Sequence, residues 1–299
     1  MIDKSYSGAV RLLPPALREN ANKLEHKLQL YAEELRLRAG FPLTVLLPEG
    51  GRELGSAPVS PRDLEAVLEI ATSASAHSVR ETVRAGYVNA SGGYRLGLCG
   101  SVTADAGGVT GFHALSSIAI RIPREFPGSA DKIALACGGE IPSTLIIAPP
   151  GAGKTTLLRD LVRLTSDGCE RLGVEPRRVG LCDERGEVAA VASGAAQMDV
   201  GRRTDVLSGA PKSAAAMMLV RTMNPEIVAL DEITAPEDVT AIEYAANCGV
   251  TLFATVHAGN LDELRGKPLY RRLLDARIFE LGILIKKFSG TREYEVARL

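Results

Sequence analysis

The chain of 299 residues contains no tryptophan, and its aromatics amount to only 4%. A face of stacking aromatic side chains for single-stranded nucleic acid is therefore not expected. Charge of one sign is equally scarce, since 35 basic residues against 36 acidic ones leave a formal net charge of −1. That balance excludes a global basic field of the kind that grips DNA without sequence preference. Cysteine is limited to Cys99, Cys137, Cys169, Cys182 and Cys248, widely spaced and without a C-x-x-C pair. The spacing argues against a zinc knuckle and a disulfide framework, and it points to a reducing cytoplasm. No apolar run approaches the ~18–20 residues of a membrane helix. The start, Met1–Tyr6, lacks a charged segment followed by an apolar one, so no signal peptide is expected. What remains is an ordinary globular composition, 45% hydrophobic and 24% charged, on a chain long enough for two domains.

The two halves differ in texture. In the first, Glu34–Arg38 and Tyr94–Leu98 alternate apolar and polar residues, as do Ile118, Ile120 and Ile122 with their neighbours. Each reads as a half-buried strand, and Leu43–Leu47 reads as another. Pro61–Ala71 carries Leu64, Val67 and Leu68 at helical spacing behind Ser60, a plausible N-cap. The second half alternates apolar strands (Thr144–Ile147, Val179–Leu181, Ile227–Leu230, Thr251–Thr255, Phe279–Ile285) with helices (Lys154–Thr165, Ser213–Thr222, Pro236–Asn247, Leu261–Asp275). Apolar strands separated by helices predict a parallel sheet covered on both faces. The expected division is a smaller α+β domain over residues 1–127 and an α/β domain over 128–299.

The first strand of the second half runs into Ala148-Pro149-Pro150-Gly151-Ala152-Gly153-Lys154-Thr155-Thr156. This is the phosphate-loop pattern G-x-x-x-x-G-K-[ST], with Ala148 replacing the first glycine. Ala is tolerated there if its φ stays negative. Gly151 and Gly153 let successive N–H groups turn inward as an anion nest, and the helix dipole adds to the attraction. Pro150, Gly151, Ala152, Gly153, Lys154, Thr155 and Thr156 thus form the candidate nucleotide loop. Lys154 would reach the β/γ-phosphates, Thr155 a Mg²⁺ ion and Thr156 the α-phosphate.

About eighty residues later, the apolar run Ile227–Leu230 ends in Asp231-Glu232. Asp231 suits a Mg²⁺ site, and Glu232 could polarise a water for attack on the γ-phosphate. Two more strand ends carry chemistry, Asp183–Glu187 with three carboxylates and Thr255-Val256-His257. In doubly wound sheets ligands sit at the carboxyl ends of strands, so these segments should converge on the phosphate loop. His257 could sense the γ-phosphate or bond the acid, and Glu187 joins the candidate catalytic set.

In that order, the four segments resemble the Walker A, Asp box, Walker B and His box of the secretion ATPase superfamily, the RecA-like motors of type II and type IV secretion and pilus machines. Two departures stand out. The chain has Asp231-Glu232 where pilus and type II motors usually have Gly-Glu, and it lacks the tetracysteine of many members. Further runs, Glu33–Leu43, Gly92–Gly100, Ser116–Glu125 and Asp199–Leu207, are similar to those of a sporulation ATPase family of endospore-forming bacteria. Tyr94 and Pro123 stand where that family usually has His and Ala.

The resemblance implies a RecA-like P-loop ATPase domain preceded by the α+β domain, with ATP and Mg²⁺ as ligands. It also implies a cytoplasmic motor, a homo-hexamer recruited peripherally to membrane channel proteins between mother cell and forespore, with no direct nucleic acid. Arginines of the N-terminal domain reach the nucleotide in such motors, which makes Arg121 and Arg124 candidates for catalysis, with Arg95 beside them. Arg202, Arg203 and Arg221 are candidates for facing a neighbouring subunit, while Arg36 and Arg38 read as structural. Two other functions compete, a RecA-like nucleic-acid translocase and a nucleotide-gated scaffold with little turnover.

Overall fold

The computed structural model describes residues 4–72, 84, 86–106, 108–123, 126–192, 194–288 and 291–299. The chain forms two compact units, Met1–Arg124 with Ala190–Gln197, and Glu125–Ala189 with Met198–Leu299.

The first unit opens with helices α1 (Lys4–Arg11), α2 (Pro15–Asn22) and α3 (His26–Gln29). Strands β1 (Glu34–Arg38), β2 (Pro42–Leu47) and β3 (Gly50–Pro58) follow, then helix α4 (Pro61–Thr72) and strands β4 (Tyr87–Ala90), β5 (Tyr94–Asp105) and β6 (Gly108–Arg121). The six strands make one antiparallel sheet in the order β3-β2-β1-β6-β5-β4. Its alternation is the one expected from the sequence. Leu35 and Leu37 are buried on β1 while Arg36 and Arg38 face out, and Ile118 and Ile120 join them in the core. Burial of each such side chain contributes about 1.5–3 kcal/mol. Ser60 caps α4 as anticipated: its Oγ accepts from the Asp63 N–H at 3.2 Å, while the Asp63 carboxylate accepts from the Ser60 N–H at 2.8 Å. The segment Ala190–Gln197 is tied to this unit, with the Gln197 side-chain oxygen accepting from the Gly92 N–H at 2.7 Å.

The second unit contains helix α5 (Asp131–Ala136), strand β7 (Thr144–Ile147), helix α6 (Lys154–Asp167), strands β8 (Val179–Asp183) and β9 (Thr204–Ser208), helix α7 (Lys212–Thr222), strand β10 (Ile227–Leu230), helix α8 (Pro236–Asn247) and strand β11 (Thr251–Val256). Helices α9 (Leu261–Gly266) and α10 (Pro268–Asp275) and the hairpin β12 (Leu281–Phe288) and β13 (Thr291–Arg298) complete it. The sheet order is β13-β12-β7-β11-β10-β8-β9, parallel throughout except for the β12–β13 hairpin at one edge. Every residue of β7, β8 and β10 is buried, as expected of central parallel strands covered on both faces.

One expected helix is corrected. Leu261–Asp275 divides at Lys267, whose φ of −89° and ψ of 121° are extended. The ring of Pro268 disfavours a helical residue before it, so α9 ends and α10 starts afresh. The strand expected at Phe279–Ile285 also begins later, at Leu281, as β12. Among the described residues, no helix is long and apolar enough to cross a membrane.

Candidate functional site

The topology of the second unit brings the carboxyl ends of β7, β8, β10 and β11 to one edge. The loop after β7 depends on two glycines in the left-handed region, Gly151 with φ of 71° and Gly153 with φ of 104°. Gly153 is the N-cap of α6, so the first amides of that helix have no side-chain cap. Ala148 stays outside the left-handed region, which is why this position does without glycine. Lys154 is buried. Its ammonium donates to the carbonyls of Ala148 and Pro149, each at 3.1 Å, and to His257 Nδ1 at 2.9 Å. Burial pushes this lysine below its ordinary range, and Glu232 and Asp231 push in the opposite direction.

The two motifs meet at Thr155. Its hydroxyl donates to Asp231 Oδ2 at 2.7 Å, and Thr255, fully buried on β11, donates to Asp231 Oδ1 at 2.7 Å. The Thr255 hydroxyl also accepts from the Glu232 N–H at 2.8 Å. Burial raises the Asp231 carboxyl above the usual carboxylate range, opposed by the two threonine hydroxyls and supported by the charges of Glu232 and Glu187. Glu232 itself has φ of 56°. For a residue with a Cβ that conformation costs about 1–2 kcal/mol, and the bond to Thr255 helps to hold it. Its Oε1 lies 2.8 Å from His257 Nε2 and its Oε2 lies 3.0 Å from Arg185.

The segment after β8 is clamped from both sides. The buried Asp183 carboxylate accepts three backbone N–H groups, from Glu187 at 2.9 Å, Val188 at 3.1 Å and Ala189 at 2.8 Å. From the phosphate-loop helix, the buried Arg159 guanidinium donates to the carbonyls of Val188 at 2.6 Å and Glu187 at 2.7 Å. Asp183 is thereby an organiser of the loop. Glu187 lines a small recess together with Asp231, Glu232, Glu184, Arg185 and Lys212.

Lys154, Thr155, Asp231, Glu232 and His257 therefore share one hydrogen-bonded network, and Glu187 lies beside it. Arg121 belongs to the first unit, where it is exposed at the end of β6, and Arg124 lies outside the described residues. Arg203 donates to the Ser166 carbonyl at 3.5 Å, Arg221 donates to the Tyr244 hydroxyl at 3.4 Å, and Arg36 pairs with Glu34. Sequence reasoning missed Arg185, Arg159 and Lys267, which donates to the His257 carbonyl at 2.8 Å. Arg185 stands inside the acidic segment and could have been suspected from its company. Arg159 acts across 29 residues and Lys267 across ten, and neither stands in a motif that would single it out.

The fold is that of the secretion and pilus ATPases. The structure is similar to the Legionella pneumophila ATPase DotB, with a TM-score of 0.57 at 14% identity over 89% of this chain and 76% of that one. It is likewise similar to the pilus retraction motor PilT, solved with bound ADP, with a TM-score of 0.61 at 19% identity over 90% of this chain and 80% of that one. In sequence, it is 34% identical to Stage III sporulation protein AA of Bacillus subtilis (strain 168) over 280 residues, which are 93% of this chain and 90% of that protein. The family model for sporulation stage III, protein AA matches residues 7–293, and the chain belongs to that family.

Proposed function

We propose that this chain is a Mg²⁺-dependent ATPase motor that drives or assembles a secretion-like channel between mother cell and forespore during endospore formation. The observation that carries the reading is the 2.7 Å bond between Thr155 and Asp231, which joins the glycine loop to the acidic strand end. In phosphate-loop ATPases this pair of residue types holds Mg²⁺. The residues fit a nucleotide: two left-handed glycines leave amides for an anion, and Lys154 stands at the head of α6. In this role Pro150–Thr156 hold the phosphates, with Thr155 and Asp231 holding Mg²⁺. The bound metal would spread the charge of the β- and γ-phosphates.

Glu232 orients the attacking water, and His257 links it to Lys154. Glu187 adds a further carboxylate beside them. Arg121 and Arg124 are proposed to stabilise the transferring phosphate from the N-terminal half. The working form is a homo-hexamer in the cytoplasm, held at the membrane by channel proteins of the sporulation apparatus.

The test is a pair of variants. Lys154→Ala should lose ATP binding. Glu232→Gln should bind ATP but hydrolyse it about 100-fold more slowly or worse. Unchanged turnover in Glu232→Gln would remove that residue from the mechanism.

A second reading has one observation in its favour. Both oxygens of Glu232 are engaged, by His257 and Arg185, which suits a nucleotide-gated scaffold with little turnover. Sedimentation with ATP and with a non-hydrolysable analogue, beside a turnover assay, separates the two. Equal assembly with either nucleotide and no measurable turnover favours the scaffold.

A further inference from the structure

At the far side of the phosphate loop, two planar groups meet that no part of the catalytic network uses. Arg292, on β13, packs against Gly153 so closely that a Cβ at that glycine would lie 2.7 Å from the guanidinium carbon. The same guanidinium carbon sits 5.3 Å from the centre of the Phe126 ring. Phe126 is 43% exposed, in a chain with only six phenylalanines and no tryptophan. Together with Pro127, it borders a shallow recess whose wall includes Thr156 and Arg163. All of these residues belong to the second unit.

The direction of the loop decides what this corner faces. Lys154 and Thr155 serve the β/γ end of a triphosphate, and Thr156 serves the α-phosphate end. A nucleoside attached to the α-phosphate would leave the loop past Thr156, which lines the same recess as Phe126. Phe126 offers an aromatic face at that recess, and Arg292 beside the ring offers a guanidinium plane; groups of both kinds stack on bases.

Resting on the reading of this loop as a nucleotide site, we infer that Phe126 and Arg292 form its base-binding platform. The platform takes the nucleobase by stacking, which favours the larger purines and discriminates weakly between adenine and guanine. Arg292 acts from the C-terminal hairpin, so the last strand of the sheet is part of the ligand site.

The test compares ADP with inorganic tripolyphosphate, which has phosphates and no base, in calorimetric titrations of the full chain. Phe126→Ala and Arg292→Lys are the variants. The lysine keeps the charge and loses the plane. Both variants should weaken ADP about tenfold, within the range seen when a stacking side chain is removed, and should leave tripolyphosphate within about twofold of the parent. Circular dichroism checks that each variant is folded.

ADP affinity unchanged in both variants, or equal losses for ADP and tripolyphosphate, would overturn the platform and leave Arg292 and Phe126 as a packing pair or a phosphate contact. Failure of the parent chain to bind either ligand would overturn the nucleotide reading itself, and the platform with it.

Discussion

Replacing Thr255 with valine tests whether one buried hydroxyl organises the acidic strand end. Thr255 is fully buried, and its Oγ1 makes two bonds at once, donating to Asp231 and accepting from the Glu232 N–H. Valine has nearly the same shape, so the substitution removes the hydroxyl without opening a cavity. A hydrogen bond to a charged group contributes about 1.5–3 kcal/mol. The Glu232 amide left without its acceptor adds on the order of 1 kcal/mol more. The extra methyl recovers part of this by burial, at about 0.8 kcal/mol. The net loss should be roughly 2–3 kcal/mol. For a unit of this size, that corresponds to roughly 4–12 °C in melting temperature.

Thermal melts of Thr255→Val and Thr255→Ser, followed by circular dichroism in the absence of nucleotide, read the effect. Serine keeps the hydroxyl and loses one methyl, which should cost about 1 kcal/mol. Valine should therefore melt below serine. If Thr255→Val melts with or above Thr255→Ser, the hydroxyl does not hold the strand end and the reasoning fails.

Asp231→Asn should gain stability relative to the parent as pH rises above the ordinary carboxylate value of about 4. Burial raises the folded carboxyl, so the parent loses stability between the unfolded and folded values while asparagine has nothing to titrate; melting temperatures across pH should diverge through that window and run parallel above it. Asp183→Ala strands the amides of Glu187, Val188 and Ala189, and should destabilise the second unit by about 3 kcal/mol or more, measured by urea denaturation. Gly153→Ala puts a Cβ into the Arg292 guanidinium at φ of 104°, whereas Ala148 needs no glycine. Tripolyphosphate titration should therefore lose binding in Gly153→Ala and keep it in Ala148→Gly, with the latter costing about 0.5–1 kcal/mol of stability.

Much of this arrangement was legible because the signals are local. Four-residue runs such as Thr144–Ile147 and Ile227–Leu230, too short for a helix and rich in β-branched residues, read as strands buried on both faces, and a residue at the carboxyl end of a parallel strand has its position set by topology. That reasoning placed Lys154, Asp231 and His257 at one edge without any coordinates. The break between α9 and α10 also had a local signal, Pro268, which turns the residue before it away from the helical region. Ala190–Gln197 is a run of small residues with no period, and nothing in it announces that it belongs with the first unit. The left-handed backbone of Glu232 is also invisible in sequence, because glutamate has no preference for it and tertiary bonds alone hold it there.

The network also fixes a proton. An ammonium can only donate, so the 2.9 Å contact from Lys154 requires a lone pair on His257 Nδ1. Nε2 then carries the hydrogen of the neutral ring and donates to Glu232 Oε1. Arg185 takes the other oxygen, and the remaining lysine protons go to two loop carbonyls. Each charged group is thus satisfied by another part of the chain. A polyphosphate that draws the Lys154 ammonium toward itself must compete with His257 Nδ1, and the imidazole that loses this bond is the one that holds Glu232. Phosphate binding at the loop and the placement of Glu232, proposed above to orient the water, are then coupled through a single ring. By linkage the coupling is reciprocal, so whatever moves Glu232 away from His257 also changes the affinity of the loop for phosphate.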